Sequence, residues 1–159
     1  MLLAAPHGIF AVIPSSKEEN MQQVNKEVVR RFFEAFSRHD IEEMKSLVAE
    51  DLVQHNSTSQ GRDGLAEEAR YWLGAFPDAS ISIEDLIAEG DTIAVRLQVA
   101  ATNDGEFFGA PATGRKIDVQ EIDIARVENG LIAELWSAPD IYGMLTQLEM
   151  LPVSTEQGV

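Results

Sequence analysis

The chain has no cysteine, which excludes disulfides, thiolate nucleophiles and cysteine-held metals at once. Cationic side chains are scarce. Twelve Lys and Arg stand against 27 Asp and Glu, a net charge of −15 over 159 residues. Nucleic acids and anionic membrane surfaces are gripped by cations facing phosphates, so neither partner fits this balance. A cytoplasmic protein kept in solution by its charge is the expectation. The three histidines, His7, His39 and His55, are scattered without ligand spacing, so no metal site is expected. No apolar run is long enough to span a bilayer. The opening MLLAAPHGIFAVIPSS is short, broken by Pro6 and Pro14, and has no Lys or Arg before it, a poor signal peptide. A glycine-rich phosphate cradle is also missing: residues 109–114 (GAPATG) read as a turn.

What remains is a hydrophobic fraction of 45%, enough for the core of one domain. Residues 1–20 read as an N-terminal arm of uncertain structure, 21–150 as a single α+β domain, and 151–159 as a loose tail. Met21 is a candidate start. From Met21 to Arg38 apolar residues recur at helical spacing: Val24, Val28, Phe32 and Ala35, widened by Val29, Phe33 and Phe36. A short second helix follows Asp40, which reads as its N-cap. Residues 51–55 are extended, and a third helix runs from Asp63, its expected cap, to Gly74, with Leu65, Ala69, Trp72 and Leu73 inward. Beyond Pro77 the period changes to two. Ile81, Ile83, Asp85 and Ile87 alternate with polar residues, as do Ile93, Val95, Leu97 and Val99. Two further strands, 117–127 and 131–137, flank Asn129-Gly130, a tight-turn signal. Helices followed by hairpin-joined strands imply an antiparallel sheet with helices on one face.

The strand 117–127 carries the chemistry. Its odd positions are Ile117, Val119, Glu121, Asp123, Ala125 and Val127, all on one face by alternation. Two carboxylates inside an apolar pocket acquire raised pKa values and become usable acids and bases. The competing reading leaves this face in water, because the even positions are no more apolar.

Five segments occur in an order that resembles the SnoaL-like polyketide cyclases of the nuclear-transport-factor-like cone-fold superfamily: RRFFEAFSRHDIEEMKSLVAEDLVQH, FPDASISIEDLIAEGDTIAVRL, GEFFGAPATGRKI, ARVENGLIAELW and PDIYGMLTQL. The resemblance spans 25–148. It implies a cone: a strongly curved antiparallel sheet packed on three N-terminal helices, with a central pocket. It also implies a cofactor-independent acid/base enzyme acting on a small hydrophobic carbonyl compound by aldol cyclisation, isomerisation or dehydration. The position where the family has a pocket histidine, seven residues before Gly130, is Asp123 here. The position of the family's general acid/base, three residues before Asp140, is Ser137, and a hydroxyl does not serve as acid or base near neutral pH without an activating partner.

Asp123, His55 and Glu121 are therefore the catalytic candidates. Asp123 is expected as the base, with His55 or protonated Glu121 as donor to the enolate oxygen. Gln54, Trp72, Phe76, Phe108 and Ser137 are the candidate substrate-pocket residues, and Asp140 is expected to cap the last turn. A hydrolase-like reading would pair Arg96 with the two acids. The lost acid at Ser137 supports a different alternative, a non-catalytic binding or dimeric structural module. Homodimerisation through the sheet face, with Trp136 and Ile132, is expected in either case.

Overall fold

The computed structural model describes residues 16–151 apart from Asn56. The expectations for residues 1–15 and 152–159 lie outside that range. Helix α1, Ser16–Ser37, starts five residues before the apolar periodicity does, so residues 16–20 are helical. Val29, Phe32, Phe33 and Ala35 face inward, while Val24 is exposed. His39 takes a left-handed backbone (φ +59°) and stops the helix. Asp40 then caps α2, Ile41–Ser46, its side chain accepting from the Glu43 N–H at 2.9 Å. Strand β1, Val48–Gln54, leads to α3, Gly61–Ala75. Asp63 does not cap α3. Gln60 holds the N-cap position, and Asp63 pairs with Lys45 at 2.9 Å.

Four strands and a last helix follow: β2 Ser80–Glu89, β3 Thr92–Thr102, β4 Lys116–Glu128, β5 Leu131–Pro139 and α4 Ile141–Gln147. Asn129 and Gly130 both have positive φ, +52° and +78°, the backbone that a two-residue hairpin turn requires. The five strands form one curved, open sheet in the order β1-β5-β4-β3-β2. It is mixed and not wholly antiparallel, because β1 lies parallel to β5 at the edge. A strand that continues into a helix needs no hairpin partner, so β1 is free to join in the parallel sense.

Two bulges decide which residues face inward. In β2 the register slips at Glu84. Ile81, Ile83, Leu86 and Ala88 pack against the core, and Asp85 and Ile87 turn outward. In β5 the slip falls at Ala133, between the pairs Val127↔Ile132 and Arg126↔Glu134. Ile132, expected on the outer dimer face, is thereby buried, whereas Trp136 stays outside.

The inner face of the sheet carries two apolar clusters. One joins α1, α2 and α3 to Ile93, Val95, Leu97, Ala125 and Val127. The other gathers Phe76, Val99, Phe107, Ile117, Val119, Met144 and Leu148. On β4 they are separated by two residues of the same face, Glu121 and Asp123.

Candidate active site between the two apolar clusters

A cavity of about 680 Å³ opens where the clusters part. Its walls are aromatic and aliphatic, among them Phe32, Phe36, Trp72, Phe107 and Leu135. Glu121, Asp123 and Ser137 stand among these apolar walls. Strand pairing sets Asp123 opposite Ser137 and Glu121 opposite Pro139. The odd face of β4 is thus the cavity face, and Ile122 and Ile124 on the even face are the solvent-exposed ones.

Asp123 is only 2% exposed, and its Oδ1 is sealed from water without a hydrogen-bond partner. Burial is the main reason that its pKa rises to about 8; the charge of Glu121 raises it further. The Ser137 hydroxyl and the Ala138 amide oppose the rise by hydrogen bonding to the carboxylate. Glu121 is also raised, again chiefly by burial, while its hydrogen bond with Asp123 works in the opposite direction. Two carboxyls in contact away from water hold one proton between them, because both cannot ionise cheaply. Burial raises both carboxyls, so the two titrate as one coupled pair.

Of the expected pocket residues, Gln54, Trp72, Phe108 and Ser137 line the cavity. Gln54 is the inward residue at the end of β1, fixed by donating to the Ser59 carbonyl at 2.8 Å. Phe76 does not reach the cavity. It is fully buried, stacks on Trp72 at 4.4 Å and meets Phe107 edge-on at 5.0 Å, backing the wall.

His55 is not brought to the carboxyl pair. Leu52 and Gln54 point inward, so alternation sends His55 outward. There it bonds Glu134 at 2.7 Å and stacks on Trp136 at 4.0 Å. Arg96 is likewise outside, paired with Asp85 at 2.7 Å, which removes the hydrolase-like triad. Asp140 caps α4 as expected, accepting from the Gly143 N–H at 2.8 Å, and its residue also borders the cavity.

Among the cavity residues that escaped the sequence reading are Glu68 and Tyr71. Glu68 lies one turn before Trp72 on α3, so helical spacing alone could have marked it; it accepts from Ser57 Oγ at 2.9 Å and its charge raises Glu121. Tyr71 carried no such signal, because its position at the mouth depends on a loop more than 30 residues away in the chain.

Among the described residues, none of the cavity-lining side chains is Lys, Arg or His, and no group of His, Asp or Glu has a metal-holding arrangement. No described helix is long and apolar enough to cross a membrane.

Comparison with known proteins agrees with this architecture. The aklanonic acid methyl ester cyclase DauD of Streptomyces sp. (strain C5) is 24% identical over 129 residues, which is 77% of this chain and 80% of that protein. DnrD of Streptomyces peucetius, of the same description, is 24% identical over 77% of this chain and 88% of its own. The structure of TsrD from Streptomyces laurentii superposes with a TM-score of 0.76 at 27% identity, covering 82% of this chain and 98% of that one. IdmH from Streptomyces antibioticus does so at 0.70 and 29%, over 79% and 98%. The family model described as SnoaL-like polyketide cyclase matches residues 26–148. With a curved sheet, a lined cavity and that match over most of its length, the chain belongs to the SnoaL-like polyketide cyclase family.

Proposed function

We propose that the protein is an acid/base enzyme that uses Glu121 and Asp123, without a cofactor, to enolise a small hydrophobic carbonyl compound. The observation that carries this reading is a contacting pair of carboxyls, both raised by burial, within a largely apolar cavity. Burial supports roles opposite to those expected for the two acids. Ionised Glu121 removes the proton from carbon next to the substrate carbonyl. The electron pair of that C–H bond becomes the C=C bond of the enolate and the carbonyl π pair moves onto the oxygen, where the Asp123 O–H donates. Ser137 takes no proton in this scheme; it holds the Asp123 carboxyl in place. The enolate carbon then attacks a second carbonyl of the same molecule: a C–C bond closes the ring, the π bond of that carbonyl breaks, and its oxygen takes the proton carried by Glu121, which restores the ionised carboxylate. The names of DauD and DnrD favour this closure over isomerisation or dehydration.

Glu121→Gln should lower kcat by about 100-fold or more, the usual cost of losing a general base. Asp123→Asn keeps an N–H donor and should lower it by only about 10-fold. The rate profile should rise as Glu121 ionises and fall as Asp123 loses its proton near 8, with the falling limb missing in Asp123→Asn. Steady-state rates on a panel of methyl-ester polyketide carbonyl compounds test this. A larger loss in Asp123→Asn than in Glu121→Gln would return the base role to Asp123. Full turnover in both variants would take the chemistry away from this pair, whereas no turnover by the unsubstituted protein on compounds that it binds would favour a binding module, the reading that Ser137 in the acid's place supports.

A further inference from the structure

We propose that Tyr71 is a substrate-binding residue, donating its phenolic O–H to a carbonyl oxygen at the mouth of the cavity. This rests on the reading of the cavity as a site for a carbonyl compound.

Tyr71 borders the cavity from α3, half exposed, with its ring stacked on Phe107 at 6.2 Å. Its oxygen accepts the backbone N–H of Phe108 at 2.9 Å. A phenol has one proton to donate as well as lone pairs to accept with. Here a lone pair is taken by Phe108, and among the described residues no acceptor takes the proton. Accepting one hydrogen bond polarises the O–H and strengthens it as a donor. The same bond anchors Phe108, which holds a left-handed backbone, φ +49°, unfavourable for a bulky residue. Such strain persists where the surroundings impose it, commonly at ligand sites.

Apart from the Trp72 indole N–H, the other side-chain donors named on the cavity are engaged. Ser57 Oγ donates to Glu68, Gln54 Nε2 donates to Ser59, and Ser137 faces Asp123. With no cationic side chain in the lining, an electron-rich oxygen distant from Asp123 has Tyr71 to meet it. The cavity, about 680 Å³, therefore offers one substrate oxygen the carboxyl pair and a second oxygen Tyr71.

The test uses 2-(hydroxymethyl)anthraquinone as probe, in a Trp136→Phe background that leaves Trp72 as the fluorescent reporter in the cavity wall. Binding is read by Trp72 quenching and donation by the infrared carbonyl stretch of the bound quinone. Tyr71→Phe should weaken binding about 3- to 10-fold and return part of the carbonyl shift towards the solution value. Replacing Tyr71 by 3-fluorotyrosine, at a pH where the phenol stays protonated, makes a better donor and a poorer acceptor. The carbonyl shift should then exceed that of the unsubstituted protein. If Tyr71 only anchored Phe108, fluorination would weaken the anchor and the shift would not grow. A bound quinone with the same stretch in all three proteins overturns the proposal and leaves the acid/base roles standing. Full turnover in Glu121→Gln would remove those roles and leave Tyr71 as the donor.

Discussion

Asp123 holds a proton at neutral pH because ionising it would place a charge in a site without water and beside a second carboxylate. That has a consequence for stability. The pKa is about 8 when folded and about 3.9 in an unfolded chain, so between these values the folded state binds the extra proton. The contribution is fully present below about 4 and is lost as the pH rises through about 8. Raised Glu121 acts in the same direction. The protein should melt about 5 °C or more lower at pH 9 than at pH 6, and Asp123→Asn should remove most of that difference. Calorimetry of both proteins at the two pH values decides it; an equal drop in Asp123→Asn would show that another group is responsible.

The long β3–β4 connection is held by one buried side chain. Asn103 Oδ1 accepts from the Thr113 N–H at 2.8 Å and the Thr113 hydroxyl at 3.0 Å, and its Nδ2 donates to the Gly105 carbonyl at 2.9 Å. The Asp104 and Gly105 N–H groups both donate to the Ala75 carbonyl at 3.1 Å, tying the connection to the end of α3. Gly105 lies so close to the Gly74 carbonyl that a Cβ there would clash with backbone. Phe107 and Phe108 are thus delivered to the cavity by contacts far from it. Asn103→Ala leaves several partly buried partners unsatisfied and should cost about 2–4 kcal/mol. It should also weaken ligand binding through the displaced rim. Urea unfolding measures the first effect and Trp72 quenching the second; unchanged binding in a destabilised variant would show that the rim is positioned without Asn103.

At the scale of the whole molecule, the outer face of the sheet carries an apolar row among charged residues. Ile87, Ala94, Ile124 and Trp136 form a row through direct strand pairing, and Ile122 and Ile124 are 52% and 40% exposed. The ion pairs Asp85–Arg96 and Arg126–Glu134, with His55 on Glu134, flank this row. We propose that this face pairs with a second copy, whose identical row would cover it. Ile124→Glu should then convert a dimer into a monomer in light scattering, with the rate per chain retained because the cavity lies on the opposite face. A monomeric parent protein would refute the pairing.

Helix periods, the Asp40 and Asp140 caps and the Asn129-Gly130 turn were legible because each depends on residues within a few positions of one another. So was the shared face of Glu121 and Asp123, since β4 is regular throughout. The ordered segments also made the family legible. The sequence by itself determined a cysteine-free, strongly acidic chain with its elements and its carboxyl pair. Only the tertiary structure decided which face of β4 is inside, because both faces are equally apolar as text and only the helices packed against one of them break the tie. It also decided where the bulges at Glu84 and Ala133 reverse the pattern, that His55 and Arg96 belong to the outer face, and that both acids of the pair are buried together. Those properties depend on register, burial and distance between residues far apart in the chain, and no local pattern carries them.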